Sequence, residues 1–228
     1  KTAYEIGVRL VGSEMCIRDS YGYAPMLGVS LNQDPFDQAF IKTQQTGTSV
    51  EYERQRPDGL LVRKKFWIVR DGGDGEPYTI RHSIEFVNTT LGSLLLNNYQ
   101  LHLGAMEPAL LDGAAFMGNF LNVMYQENGD TEDIPSTKFI QSSGFLGFGA
   151  NRNPPPYISE STRFTWASLK NQFFVALLTP DNPGAEVSVR PVTLDFLNSK
   201  GEPVIAISSD AHFEPVSYTH LRAHETDS

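Results

Sequence analysis

Trp166-Ala-Ser-Leu-Lys-Asn-Gln-Phe-Phe-Val-Ala-Leu-Leu-Thr-Pro180 holds, at Phe173 to Leu178, the longest uninterrupted apolar run of the chain. Successive side chains alternate across a strand, so Phe173, Val175 and Leu177 face one way and Phe174, Ala176 and Leu178 the other. Because both faces are apolar, the run predicts a strand covered on both sides, in the middle of a layered β structure. Thr179-Pro-Asp-Asn-Pro-Gly184 ends it with turn residues.

Working outward, alternation with period two recurs and helical periodicity is scarce. Tyr78 to Asn88 is the clearest strand, with Tyr78, Ile80, His82, Ile84 and Phe86 on an apolar face and Thr79, Arg81, Ser83 and Glu85 on a wet one. Leu60 to Val69 predicts a strand before it, joined through the hairpin loop Asp71-Gly-Gly-Asp-Gly-Glu-Pro77, whose glycines tolerate positive φ. Leu94 to Leu103 predicts a third, with Tyr99, Leu101 and Leu103 on one side and Gln100 and His102 on the more polar side, completing an antiparallel meander. Gly104 to Asp133 is ambiguous between a short helix at Pro108 to Ala115 and irregular strands. A long loop follows through Gly144-Phe-Leu-Gly-Phe-Gly149 and Asn151-Arg-Asn-Pro-Pro-Pro156. Two strands close the reading, Glu186 to Phe196 and Pro203 to Phe213. In the first, the apolar positions change parity from Val187 and Val189 to Val192, Leu194 and Phe196, and a β-bulge at Pro191 is expected at the change.

The two ends read differently. Residues 1–20, closing on Gly12-Ser-Glu-Met-Cys-Ile-Arg-Asp-Ser20, and residues 217–228, Ser-Tyr-Thr-His-Leu-Arg-Ala-His-Glu-Thr-Asp-Ser, resemble translated sequencing-adaptor read-through. Setting them aside leaves 21–216 as one expected domain, a fragment of a longer gene. It removes the single cysteine, Cys16, together with His220 and His224. Four of 18 Lys/Arg and five of 27 Asp/Glu go with the ends, leaving 14 against 22 and a net charge of −8. An acidic chain without a basic aromatic patch argues against nucleic acid as a partner. With 40% hydrophobic residues the chain has ample material for a core. A membrane-crossing helix needs about 20 mostly apolar residues, and the longest run here is six. Without cysteines in 21–216 there is neither a disulfide framework nor a thiolate metal site.

Candidate chemistry is sparse. His82, His102 and His212 do not have the spacing of a local ligand set, and zinc needs three or four converging donors. His82, on an apolar face, is expected to be a satisfied core histidine. For His212, two residues after Asp210, a surface turn is an equal alternative to a role in a site. Asp71, Asp74 and Glu76 lack EF-hand spacing and predict a solvated turn. Gly144, Gly147 and Gly149 do not follow the dinucleotide fingerprint. No nucleophile elbow or P-loop is present. The expectation is therefore no catalytic residue, no cofactor and no metal.

Several blocks in order nonetheless carry a resemblance. Ala24-Pro-Met-Leu27 begins the series. Asp58-Gly-Leu-Leu-Val62 with Lys65-Phe-Trp67 follows, then Pro77-Tyr-Thr-Ile80 with Phe86-Val-Asn88. Tyr99-x-Leu-x-Leu-Gly104 and the Trp166–Pro180 block complete it. This series is similar to the periplasmic domain of the YidC family of membrane protein insertases, in the large-domain Gram-negative variant. The resemblance implies an all-β fold, a large antiparallel β-supersandwich of two packed sheets with few short helices. It implies a non-enzymatic docking, scaffold or chaperone-like module that faces the periplasm at the bacterial inner membrane. Its partners would be nascent membrane proteins and the Sec translocon, and it would be attached through membrane segments absent from this chain. The conserved positive charge of the family's membrane core has no counterpart here, so no insertase site falls on any residue.

Two other functions fit a supersandwich. A mutarotase-like epimerase would need a His/Glu acid–base pair in a concave sheet, for which His102 with a glutamate such as Glu85 is the candidate. A sugar-binding or adhesion sandwich would need an exposed aromatic platform.

Overall fold

The computed structural model describes residues 26–31, 39–68, 79–96, 98–108, 120–140, 153–199, 201 and 203–214. Both terminal stretches with Cys16, His220 and His224 lie outside these residues. So do the 71–77 loop, the 144–149 glycines and all but the first residue of the expected helix at 108–115. The described residues form thirteen strands and one 3-10 turn, Ser136–Phe139, so the chain is all-β and antiparallel as expected. The strands are distributed over three sheets in two compact units.

One unit, within residues 38–97, is a four-stranded meander in chain order: β2 Ile41–Gln45, β3 Ser49–Gln55, β4 Leu60–Ile68 and β5 Ile80–Asn88. The β4–β5 hairpin runs from Leu60 opposite Asn88 to Ile68 opposite Ile80 without a break. Its tight partner turn needs Gly59, which sits at φ +88° where a β-carbon would collide with the Thr90 methyl. Asp58 accepts a hydrogen bond from the Leu60 amide at 3.1 Å and closes the same turn. One face of this sheet carries ion pairs, Glu51 with Lys65 at 2.6 Å and Arg63 with Glu53 and Glu85 at 2.6 and 3.2 Å. The other carries Tyr52, Phe66, His82, Ile84 and Phe86, the half-buried apolar face expected from alternation.

The second unit, within residues 98–214 plus the short β1 Val29–Leu31, is a sandwich. Its first sheet has the order β1, β6 Tyr99–Met106, β13 Pro203–Phe213, β12 Glu186–Leu197 and β9 Ile158–Glu160. Its second has the order β11 Val175–Leu178, β10 Phe164–Lys170, β7 Asn122–Glu127 and β8 Asp130–Pro135. Tyr99 stacks on Phe213 with centroids 5.1 Å apart, and Phe164 from the second sheet meets Phe213 edge-on at 5.9 Å. Val123, Ala167, Leu169, Val187, Val189 and Ile207 fill the core around them.

Four expectations are corrected. The Phe173–Leu178 run is not interior. Phe173 and Phe174 lie in a turn, where the Asn171 side chain accepts both their amides at 3.0 and 2.9 Å, and only Val175–Leu178 extends as an edge strand. Val175 and Leu177 are 61% and 62% exposed. The covered strand of that block is β10 just before it, and the strand buried on both faces is β13. The third strand of the expected meander starts at Tyr99 rather than Leu94 and pairs with β1 and β13, leaving β5 as the end of its own sheet.

Pro191 sits in unbroken register opposite Ile207, and the irregularity of β12 falls after Thr193. The parity change has another cause: Leu194, Val204 and Ala206 form a separate apolar cluster, with Val192 against it, on the face opposite to Val187 and Val189. Among the described residues β12 pairs with β9 from Val187 to Val189 and no further, and a proline is tolerated where one side of a strand is open. Gly104 to Asp133 holds the β7–β8 hairpin, turned by Asn128 and Gly129 at φ 50° and 95°, values that suit a tight hairpin turn.

Gly184 pairs backbone to backbone with Phe164, and its α-carbon is covered by the Phe164 ring, leaving no room for a β-carbon. Overpacking of this kind costs about 1–3 kcal/mol. Gly184→Ala is expected to lower the free energy of unfolding by that amount, seen as a lower denaturant midpoint at an unchanged slope. Gly47→Ala, with open space around the position, is the matched control.

Candidate functional site

The richest polar cluster stands on one face of the β6–β13–β12 ladder. Residues directly opposite in an antiparallel pair share a face. Glu186 lies opposite His212, Ser188 opposite Asp210 and Arg190 opposite Ser208, and His102 on β6 lies opposite Asp210. His102 reaches Asp210 only because the register slips between Ser209 and Asp210, leaving Leu103 without an opposite residue. Gly104, at φ +120°, allows that bulge, and bulges of this sort re-aim a side chain.

Asp210 is the centre of the cluster. Its Oδ1 lies 2.7 Å from His102 Nδ1 and its Oδ2 accepts from Arg190 Nη2. His102 and Asp210 are 0% and 1% exposed, whereas Arg190 is 34% exposed. An ionised carboxylate only accepts hydrogen bonds, so the imidazole donates from Nδ1. The separation is that of a charge-assisted bond. Beside this trio, His212 Nε2 lies 2.9 Å from Ser188 Oγ and 3.6 Å from Glu186 Oε1. Burial pulls the His212 pKa below the usual imidazole value. Glu186 and Asp210 oppose that shift and Arg190 adds to it.

A second cluster occupies the meander. Phe66 stacks on His82 with centroids 4.5 Å apart, and the Lys64 ammonium sits 5.2 and 5.3 Å from the Phe40 and Phe66 ring centroids. Burial lowers the Lys64 pKa to about 8. Burial, followed by the Lys64 charge, lowers that of His82 to about 4. His82 is therefore a neutral packing histidine at pH 7. Among the described residues its buried Nε2 has no hydrogen-bond partner, so it is not the satisfied histidine that was expected.

Set against the sequence expectations, His102 does lie on the more polar face of its strand, and its side chain is wholly buried there. Its carboxylate partner is Asp210, whereas Glu85 is paired with Arg63 in the other unit. His212 is not in a surface turn but on β13, with a half-buried side chain. Sequence reasoning passed over Glu186, Ser188 and Arg190. Their common parity, matching that of Ser208, Asp210 and His212, is the signal that reveals them. Among the described residues no three His, Cys, Asp or Glu side chains converge on a metal position. Nor does any described helix have the length and apolarity to cross a membrane. No protein-family model matches the chain, and a search of curated proteins found no match.

Breaking a buried ion pair from one side costs about 3–5 kcal/mol, because the remaining charge stays desolvated. Arg190→Ala leaves the Asp210 carboxylate in that position and is expected to lose about 3 kcal/mol in urea unfolding. Arg190→Ala with Asp210→Asn together should recover part of the loss.

For Lys64 the folded pKa lies below the unfolded one, so the unfolded chain binds more protons between pH 8 and 10.5. Stability from this group therefore rises with pH across that window. His82 contributes stability that is full above pH 6.5 and is lost as pH falls towards 4. Urea midpoints measured against pH are expected to show the alkaline rise in the parent chain and to lose it in Lys64→Met.

Proposed function

We propose that this chain is the periplasmic β-sandwich domain of a YidC-like membrane protein insertase. On this reading it assists the insertion and folding of inner-membrane proteins as a docking or chaperone-like module. The observation that carries the reading is the order of blocks from Ala24 to Pro180, which resembles the family's domain in sequence. Support comes from the antiparallel all-β sandwich and from the acidic balance of the chain, which disfavours nucleic acid and anionic lipid as direct partners. An insertase makes and breaks no covalent bond, so the domain needs no catalytic group. Its partners on this reading are nascent membrane proteins and Sec translocon components, and its place is the periplasmic side of a bacterial inner membrane. It would be tethered by membrane segments outside these 228 residues.

A carbohydrate-active reading is the alternative, and the approach of His102 to Asp210 at 2.7 Å is the observation that favours it. An acid–base pair must reach its substrate, however, and both groups are closed from solvent in this fold. We therefore assign the pair to holding strands together. Accelerated anomer equilibration of glucose by the chain, abolished in His102→Ala, would reverse that assignment.

The insertase reading is tested by recovering the uninterrupted gene. It is expected to encode one apolar helix of about 20 residues upstream of the segment matching residue 21 and several more downstream of residue 216. A complete reading frame without any such helix would exclude the reading.

A further inference from the structure

The β11 strand ends its sheet: it is hydrogen-bonded to β10 and, among the described residues, to no strand on its other side. Soluble proteins blunt such edges with charges, prolines or bulges, because a free row of N–H and C=O groups templates another strand. β11 has none of these. Its register with β10 is unbroken from Val175 opposite Lys170 to Leu178 opposite Ala167. The chain is uncharged from Asn171 through Thr179, and Lys170 and Asp181 are the nearest flanking charges. Val175 and Leu177 are exposed, as are Phe173 and Phe174 in the turn before them. The opposite edge of the same sheet, β8, carries Asp130, Glu132 and Asp133. Among the described residues, one edge of the sheet is guarded by charge and the other is not.

From this contrast we infer that the β11 edge takes up an extended, uncharged polypeptide segment as a fifth strand of the sheet. The chemistry selects the occupant. Only another extended backbone matches a row of strand N–H and C=O groups. Charge matching selects its side chains, since an edge with no charge over nine residues would desolvate a charged strand without supplying a counter-ion. The alternate exposed positions Val175 and Leu177 favour β-branched or aromatic residues at every second position of the segment. The biological source of such a segment, an emerging stretch of a membrane protein, rests on the insertase reading; the strand addition itself does not.

The test uses the full chain and a fluorescein-labelled peptide, acetyl-Gly-Thr-Val-Thr-Val-Thr-Val-Gly-amide, followed by fluorescence anisotropy. Saturable binding is expected. N-methylation of alternate peptide amides removes backbone donors and is expected to weaken binding about tenfold or more. Leu177→Lys places a charge on the exposed edge and is expected to weaken binding by a similar factor of about ten at an unchanged Tm. Absence of binding, or equal binding by the N-methylated peptide or by Leu177→Lys, overturns the inference. So does a concentration-dependent dimer that Leu177→Lys dissolves while the peptide fails to bind, because the occupant is then a second copy of the chain. Failure here leaves the insertase reading to the gene, and a gene without membrane segments leaves a positive binding result intact.

Discussion

A carboxylate closed from water must have its charge met, and Asp210 is where three strands of the sandwich meet that requirement together. β13 supplies the acid, β6 the His102 imidazole and β12 the Arg190 guanidinium. None of the three is adjacent to another in sequence. The contact therefore exists only if β6 and β12 lie on opposite sides of β13 in one register, and that register includes the Leu103 bulge. Hydrophobic burial drives the sheets together without regard to alignment, whereas a desolvated charge penalises every other alignment. The apolar side of the same ladder, with Val187, Val189, Ile207 and Phe213, can then face the second sheet through Phe164.

This arrangement shapes what the domain can offer to other molecules. In its most polar constellation His102, Ser208 and Asp210 are turned inward, while Arg190, Glu186, Ser188 and part of His212 approach solvent. Exposed apolar side chains occur in both units, and Phe173, Phe174, Val175 and Leu177 are the set at the β11 edge of the second sheet. On the proposed insertase reading, the domain holds or guides chains and leaves covalent bonds alone.

Much of the fold was legible from alternation alone. β4, β5, β12 and β13 fall where period-two patterns put them, and the wet face of β5 is the one assigned to it. Layering was not legible. Phe173 to Leu178 is apolar on both faces, but apolarity does not say which neighbour covers a strand, and the Asn171 side chain ends the ladder before the phenylalanines. β7 and β8 went unread although Asn128-Gly129 is a strong hairpin signal, because the surrounding Glu and Asp residues mask their alternation. For the site, His102 and His212 were singled out, and Asp210 was noted only as the residue two before His212. The pairing of His102 with Asp210 depends on a one-residue slip at Leu103 that no local pattern announces. Arg190 was hidden by its neighbour, since the proline at 191 drew the reading towards a bulge.

Amide hydrogen exchange in the native protein tests most directly whether the interior ribbon is β13 and the greasy run is an edge. The slowest amides should be those of Ile207 to Ala211, exchanging only through global unfolding. The outward-facing amides of Val175 to Leu178 should exchange on the order of a hundredfold faster or more, through local fraying. Equal protection of the two strands, or slower exchange in Val175 to Leu178, would contradict the account.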